Sequence, residues 1–177
     1  STKTNNSNQK REIHMRPKLP DEILFECNFF KIERINNYFV LTEKSLINGA
    51  VIVAENDNLE VLLVRHFRPA INAYSIEFPR GGRDKDEPLE KTAERELLEE
   101  TGIGAKSFIE IGEMHSNTSV IRSSLKIFKA TGAYVMTNET DGEIDEQFFV
   151  SRAQLKKMLR NGEITDAHTL SAIAFME

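Results

Sequence analysis

Tryptophan is absent from the 177 residues of this chain, and only one cysteine, Cys27, is present. One thiol cannot close a disulfide within the chain, so the fold has to rest on a packed core, and a reducing cytoplasm is the expected compartment. Cys27 sits in an apolar run, where a packed thiol is the ordinary case. No apolar run approaches the roughly 18–20 residues of a membrane-spanning helix, and no signal-like apolar segment is present, so neither a span nor a membrane partner is expected. Positive charge is in deficit as well: 23 Lys and Arg stand against 28 Asp and Glu, for a formal net charge of −5. A nucleic-acid backbone attracts the opposite kind of surface, and nucleic acid is therefore not an expected partner. Ser-His-Asp and Cys-His constellations are also missing, and with them any sign of a covalent nucleophile.

The length suits one domain with a substantial core and is short for two. Residues 1–20, polar and punctuated by Pro17 and Pro20, read as a flexible tail. Residues 21–47, with "EILFECNFFKIE" and "YFVLTE", read as a short antiparallel strand region. Residues 48–177 then form the main domain. It opens on "NGAVIVAE" and "LEVLLVRHF", two strand patterns on either side of the turn signal "NDN". Further strands are expected at 74–78, 108–114, 124–131 and 145–150, and helices at 88–101, 152–161 and 166–176. Pro88 and Gly102 bracket the first helix; Ser151 with Gln154 makes a capping-box pattern for the second, which Gly162 ends. Mixed strands with few, unevenly spaced helices imply an α+β sandwich rather than a parallel βαβ sheet.

Charge is concentrated in "EFPRGGRDKDEPLEKTAERELLEETGI", residues 77–103. On its helix, Glu96, Glu99 and Glu100 fall at i, i+3 and i+4 and share one face, while Ala93 and Leu97 lie on an adjoining apolar arc that can dock on a sheet. Like charges so placed repel one another. An acidic helix face is ordinarily just solvated, with Lys91 and Arg95 offsetting it, but the flanks here argue otherwise. Gly81 and Gly82 precede the helix, allow backbone conformations that other residues resist, and let main chain approach a ligand near the positive end of the helix dipole. A carboxylate ligand set would select a hard ion, Mg²⁺ or Mn²⁺.

Gly81, five residues, Glu87, seven residues, Arg95-Glu96-Leu97, one residue, Glu99-Glu100, one residue and Gly102-Ile103 match the complete Nudix box. At background residue frequencies a chance match at one start point is on the order of 10⁻⁸. From about Ile23 to the end, through "LLVRHFRPA", "IEFPRGG" and "SRAQLKKMLRNGEITDAHTLSAIAF", the chain resembles the Nudix hydrolases, and within them the ADP-ribose pyrophosphatase subgroup. The resemblance implies a Nudix-type α/β/α sandwich with a mixed sheet, and hydrolysis of a nucleoside diphosphate linked to another moiety. ADP-ribose, giving AMP and ribose 5-phosphate, is the leading substrate. Another nucleotide sugar such as GDP-mannose or ADP-glucose is the alternative, followed by a non-catalytic Nudix-fold ligand sensor.

By the same resemblance Glu96 and Glu100 are the principal metal ligands, joined by the Arg80 carbonyl, by Glu99 as a third ligand or a base through water, and by Glu143. Glu99, Glu100 and Glu143 make the catalytic set. Glu143 comes from a second acidic loop, "NETDGEIDE", where Asp141 and Glu139 are the alternatives and where the residues alone read as a polar turn. Arg68 and Glu77 are implied substrate contacts, with Gly81 and Gly82 close to the diphosphate, and Arg95 and Glu87 are structural. A homodimer, in which N-terminal strands form or exchange across the two-fold, is also implied. One stretch departs from the subgroup: "MHSNTSVIRSS" has no proline and places Ile121 where a glutamate is expected, which leaves the substrate open. His14, His66, His115 and His168 read individually as solvated or packed.

Overall fold

Alternation along two strands decides the architecture. In the computed structural model, which describes residues 21–44 and 48–176, β4 (Gly49–Asn56) is buried up to its last residue and β5 (Val61–Arg68) is buried over its first four. Successive side chains of a strand point to opposite faces. Accordingly Ala50, Ile52, Ala54 and Leu62 enter one apolar cluster, while Val51, Val53, Val61 and Leu63 enter another. Both faces of the sheet therefore need a helical cover, and both have one. The first cluster is closed by Ala93 and Leu97 of α1 (Leu89–Thr101), the second by Leu155 and Met158 of α2 (Arg152–Asn161) and Ala172 of α3 (Ala167–Ile173). The result is the expected α/β/α sandwich.

The sheet is mixed. β10 (Leu125–Val135) runs parallel to β4 and antiparallel to β9 (Ser107–Met114) and β8 (Ile103–Gly104), while β11 (Glu146–Val150) and β6 (Ala73–Glu77) flank β5 antiparallel. The two-residue β7 (Arg80–Gly81) pairs with β4 through Ala50↔Gly81 and Val51↔Arg80. The strand expected at 124–131 continues to Val135, because Gly132, at φ 66°, makes a bulge rather than an end. A separate antiparallel sheet holds β1 (Glu22–Glu26), β2 (Phe30–Ile35) and β3 (Tyr38–Glu43). It joins the body through backbone bonds from Leu41 N–H to Val120 O at 2.7 Å and from Arg122 N–H to Leu41 O at 2.9 Å. The 114–124 stretch that departs from the subgroup is thus the seat of β3. Residues 1–20, read as a tail, lie outside the described residues, as do 45–47.

The helix ends follow their sequence punctuation. Pro88 is the N-cap of α1, one position earlier than the first-turn placement its sequence suggests, and Gly102 closes the helix at φ 69°, its N–H bonding Leu98 O at 2.8 Å. Ser151 Oγ accepts the Gln154 N–H at 3.2 Å, and Gly162 at φ 71° ends α2. The last helix, expected over 166–176, is regular only to Ile173 and is capped by Asp166, whose side chain accepts Thr169 N–H. No helix among the described residues is long and apolar enough to cross a membrane.

Candidate active site

α1 packs Ala93 and Leu97 on the sheet and, one arc away, turns Glu96 and Glu100 toward the short strap from Phe78 to Gly82 that leads out of β6. The strap lies flat against Glu96: a methyl group built on Gly81 would overlap the Glu96 carboxylate. Neither Gly81 nor Gly82 is among the glycines with positive φ. The expectation that these glycines supply unusual backbone angles is therefore corrected: at Gly81 what matters is room. Arg80 directs its backbone N–H at Glu100.

A cavity of about 360 Å³ opens here, lined by His66, Arg68, Arg80, Gly81, Gly82, Glu96, Glu100 and Glu143. It has two electrical sides. Glu100 is buried, and that burial, reinforced by the carboxylates of Glu96 and Asp141, pushes its carboxyl up to about 8. Its Oε2 has no hydrogen-bond partner. Burial likewise raises Glu96, with Glu99 and Glu143 adding to it and Arg95 opposing. Arg68 and Arg80 line the same cavity, and both are held by Glu77. The Arg68 fork reaches back along β5 to bond Glu77 through Nε at 3.0 Å and Nη2 at 2.6 Å, and Arg80 Nη2 stands 3.2 Å from the same carboxylate. Burial alone would raise the Glu77 carboxyl, but the two guanidiniums outweigh it and hold it at about 2. Glu77 lies behind the cavity wall, where its visible task is to set two arginines.

Arg95 ties the box together. Its guanidinium bonds both Glu87 oxygens at 3.1 and 3.0 Å, Gly82 O at 2.8 Å, Glu96 Oε1 at 2.7 Å and Glu99 Oε2 at 3.0 Å. Glu87 is in turn bonded by Thr92 Oγ1 at 2.9 Å, and Arg95 with Thr92 keeps its carboxyl near 2. This is the loop-to-helix brace expected of Arg95 and Glu87. Glu99 stands half-exposed at the rim, and Glu143 is exposed on its loop, where its N–H bonds Asp141 Oδ1 at 2.9 Å and the Asp141 N–H bonds Glu99 O at 2.9 Å. The two acidic segments are thus stitched side by side. Glu139 is bonded instead to Thr137, through its own N–H.

The donors fit a hard divalent cation, since the carboxylates of Glu96, Glu100 and Glu143 line one cleft and one buried oxygen, Glu100 Oε2, is unsatisfied. Among the described residues no three His, Cys, Asp or Glu side chains stand together as a ready ligand cluster. Arg95 Nη1 holds oxygens of Glu96 and Glu99, and carboxylates without a shared cation stay apart.

His66 is a liner that sequence reasoning missed. The signal was there: in β5, Leu62, Val64, His66 and Arg68 alternate onto one face, and Leu62 places that face under α1. Its Nε2 is 3.2 Å from Glu77 Oε2 but off the hydrogen-bonding line. His115 is exposed and does not line the cavity.

Fold and cavity define a class of protein: an α/β/α sandwich whose acidic helix, glycine strap and two arginines line one cleft. A family model for the NUDIX domain matches residues 46–172. The ADP-ribose pyrophosphatase of Bacillus subtilis (strain 168) is 31% identical over 135 residues, which cover 73% of this chain and 72% of that protein. The ADP compounds hydrolase NudE of Escherichia coli (strain K12) is 26% identical over 125 residues, covering 70% and 67%. The crystal structure of an ADP compounds hydrolase superimposes with a TM-score of 0.74 over 89% of this chain and 90% of that one at 22% identity, a likeness of fold. The chain belongs to the Nudix family and is a Nudix hydrolase.

Proposed function

We propose that this hydrolase cleaves the diphosphate bond of ADP-ribose to AMP and ribose 5-phosphate, with Mg²⁺ as its ion and Mn²⁺ as a working substitute. The observation that carries this is the two-sided cavity. The half-buried Glu96 and the buried Glu100 want a cation, and Arg68 and Arg80 in the same cavity suit the oxygens of a diphosphate. The names of the Bacillus subtilis and Escherichia coli relatives support an ADP-linked substrate.

Glu96, Glu100, Glu143, Glu99 and the Arg80 carbonyl would hold the ion. Such an ion neutralises phosphate charge and lowers the pKa of a bound water. Around it the chain's own groups have separate tasks. Arg68 and Arg80 fix the diphosphate, and the flat strap at Gly81 and Gly82 gives it room. Glu143 or Glu99, on the solvent side, takes the proton of the attacking water. A phosphorus–oxygen bond forms to that water as the bridging bond breaks, and the leaving phosphate departs with the other half of the substrate. The 115–121 loop, tied to β3 rather than offering a glutamate, favours a second candidate: another nucleotide sugar such as GDP-mannose or ADP-glucose.

Purified protein with Mg²⁺ is assayed against ADP-ribose, ADP-glucose, GDP-mannose and dinucleoside polyphosphates by following released phosphomonoester. The highest kcat/KM is expected with ADP-ribose; no turnover on any of them sinks the reading. We further propose a cytoplasmic homodimer, with residues 1–20 as a tail, 21–47 as the pairing strand region and 48–177 as the catalytic domain. Exposed apolar side chains on β1 to β3 and the unpaired Cys27 support it.

A further inference from the structure

Thr169, at the start of α3, has no exposed surface. Its hydroxyl accepts the backbone N–H of Phe78 at 3.0 Å and donates to Asp166 Oδ2 at 2.8 Å. The same Asp166 oxygen accepts Thr169 N–H at 2.8 Å, and Asp166 Oδ1 faces His168 Nδ1 at 3.2 Å. A hydroxyl that gives its one proton to a carboxylate has a fixed rotor, so its acceptor side is aimed permanently at Phe78. Phe78 is fully buried, and its N–H would otherwise be an orphan.

Phe78 begins the strap that ends at Gly82, and each step of that strap is pinned. Pro79 O accepts Ile52 N–H at 2.8 Å, Arg80 and Gly81 sit in register with Val51 and Ala50, and Gly82 O accepts Arg95 Nη2 at 2.8 Å. These anchors come from β4 and α1, the strap's immediate neighbours. The Phe78 anchor alone comes from the opposite helical layer, 91 residues along the chain. It sets the strap from the side that the acidic helix does not reach.

We propose that Thr169, oriented by Asp166, is a positioning residue for the metal site: it fixes how far the strap stands from α1, and so where Arg80 and Gly81 meet Glu100 and Glu96. The inference rests on the metal reading above. Without the hydroxyl the strap is held from one face only, and a small drift shifts Arg80 against Glu100 while Gly81 crowds or releases Glu96, the two carboxylates that would hold the ion. Outer groups that orient metal ligands typically change affinity by about 10–100-fold when removed.

The test is Mn²⁺ titration of the full chain, read as free Mn²⁺ by electron paramagnetic resonance, with thermal unfolding recorded in parallel for wild type, Thr169→Val, Thr169→Ser and Asp166→Asn. Thr169→Val is expected to bind Mn²⁺ about 10–100-fold more weakly. Thr169→Ser keeps the hydroxyl and restores wild-type affinity. Asp166→Asn, which still caps α3, falls between. A purely structural threonine would lower the unfolding temperature of Thr169→Val and leave the Mn²⁺ affinity of its folded form unchanged, and that result overturns the proposal. Should Thr169→Val fail to fold, Asp166→Asn decides: weakened binding upholds the proposal and wild-type affinity overturns it. Wild-type protein that binds no Mn²⁺ sinks the metal reading itself, together with this inference.

Discussion

Glu100 and Gly81 show how much of the site a sequence carries and how much it withholds. The identity of both residues was legible from spacing alone. The reason for Gly81 was not, because spacing cannot separate a glycine needed for its backbone angle from one needed for its missing side chain. The overlap of a Gly81 methyl with the Glu96 carboxylate settles that it is the latter. His66 went unread for a related reason: a lone histidine in a strand carries no label for its face until its neighbours are known to be under α1. Two substitutions separate charge from room. Glu100→Gln keeps the shape of a carboxyl that burial already pushes up to about 8, so it leaves unfolding near pH 7 in metal-free buffer close to wild type. Removing a proposed ligand should cost at least what removing an outer group does, so kcat is expected to fall by at least about 10-fold. Gly81→Ala displaces Glu96 with no change in charge, and is expected to raise the Mg²⁺ concentration needed for half-maximal rate as well as to lower kcat. Steady-state kinetics across a Mg²⁺ series checks both. Full activity in Glu100→Gln would remove that residue from the ion.

At the level of elements, caps and periodicity were legible and very short strands were not. Ser151 with Gln154, Gly102 and Gly162 all act where they were expected to, because a cap is a local device that neighbouring residues suffice to specify. The two-residue strands β7 and β8 have no period to read, and they exist only because β4 and β10 offer edges to pair with. The N-terminus of α3 lies between these cases. Asp166 is an ordinary cap by sequence, but in the fold it also carries Thr169, His168 and the field of Arg80. Burial would raise its carboxyl, yet His168, the Thr169 N–H and hydroxyl, and Arg80 together hold it well below the usual carboxylate range. A folded-state pKa below the unfolded value gives stability that is fully present above the unfolded value, ~3.9, and is lost as pH falls through and below it. Asp166→Asn keeps the cap and removes the charge. In urea titrations it is expected to be less stable than wild type from pH 5 to 7 by about 1.5–3 kcal/mol, the range for hydrogen bonds to a charged group, with the gap closing toward pH 2. A gap that is constant with pH would show that the carboxylate charge contributes nothing.

For the molecule as a whole, the body and the N-terminal sheet obey different rules. The central strands are covered on both faces, and their near-continuous apolar runs announced this in the sequence. The β1–β3 sheet mixes large apolar residues with charges, as in FKIERI, and it is covered far less: Tyr38 is 70% exposed, Phe39 59% and Ile23 54%, with Phe29 in the β1–β2 turn at 72%. Among the described residues this sheet is left with large exposed apolar side chains and no strand on the far side of β1, and such a surface asks for a partner strand or face. Charge on it is largely paired within the sheet, as in Arg34–Glu22 and Lys44–Glu26, so it does not look to an oppositely charged macromolecule. A second copy of the chain is the partner that the resemblance to ADP-ribose pyrophosphatases implies. The full chain is therefore expected to elute in light-scattering chromatography at twice 20.2 kDa at micromolar concentration. Phe29→Asp with Tyr38→Asp, both far from the acidic cavity by element, would put charge into the buried centre of such an interface and yield the monomer while the far-ultraviolet spectrum of the body is retained. A wild-type mass of one chain at that concentration would show instead that the apolar sheet stands uncovered in solution.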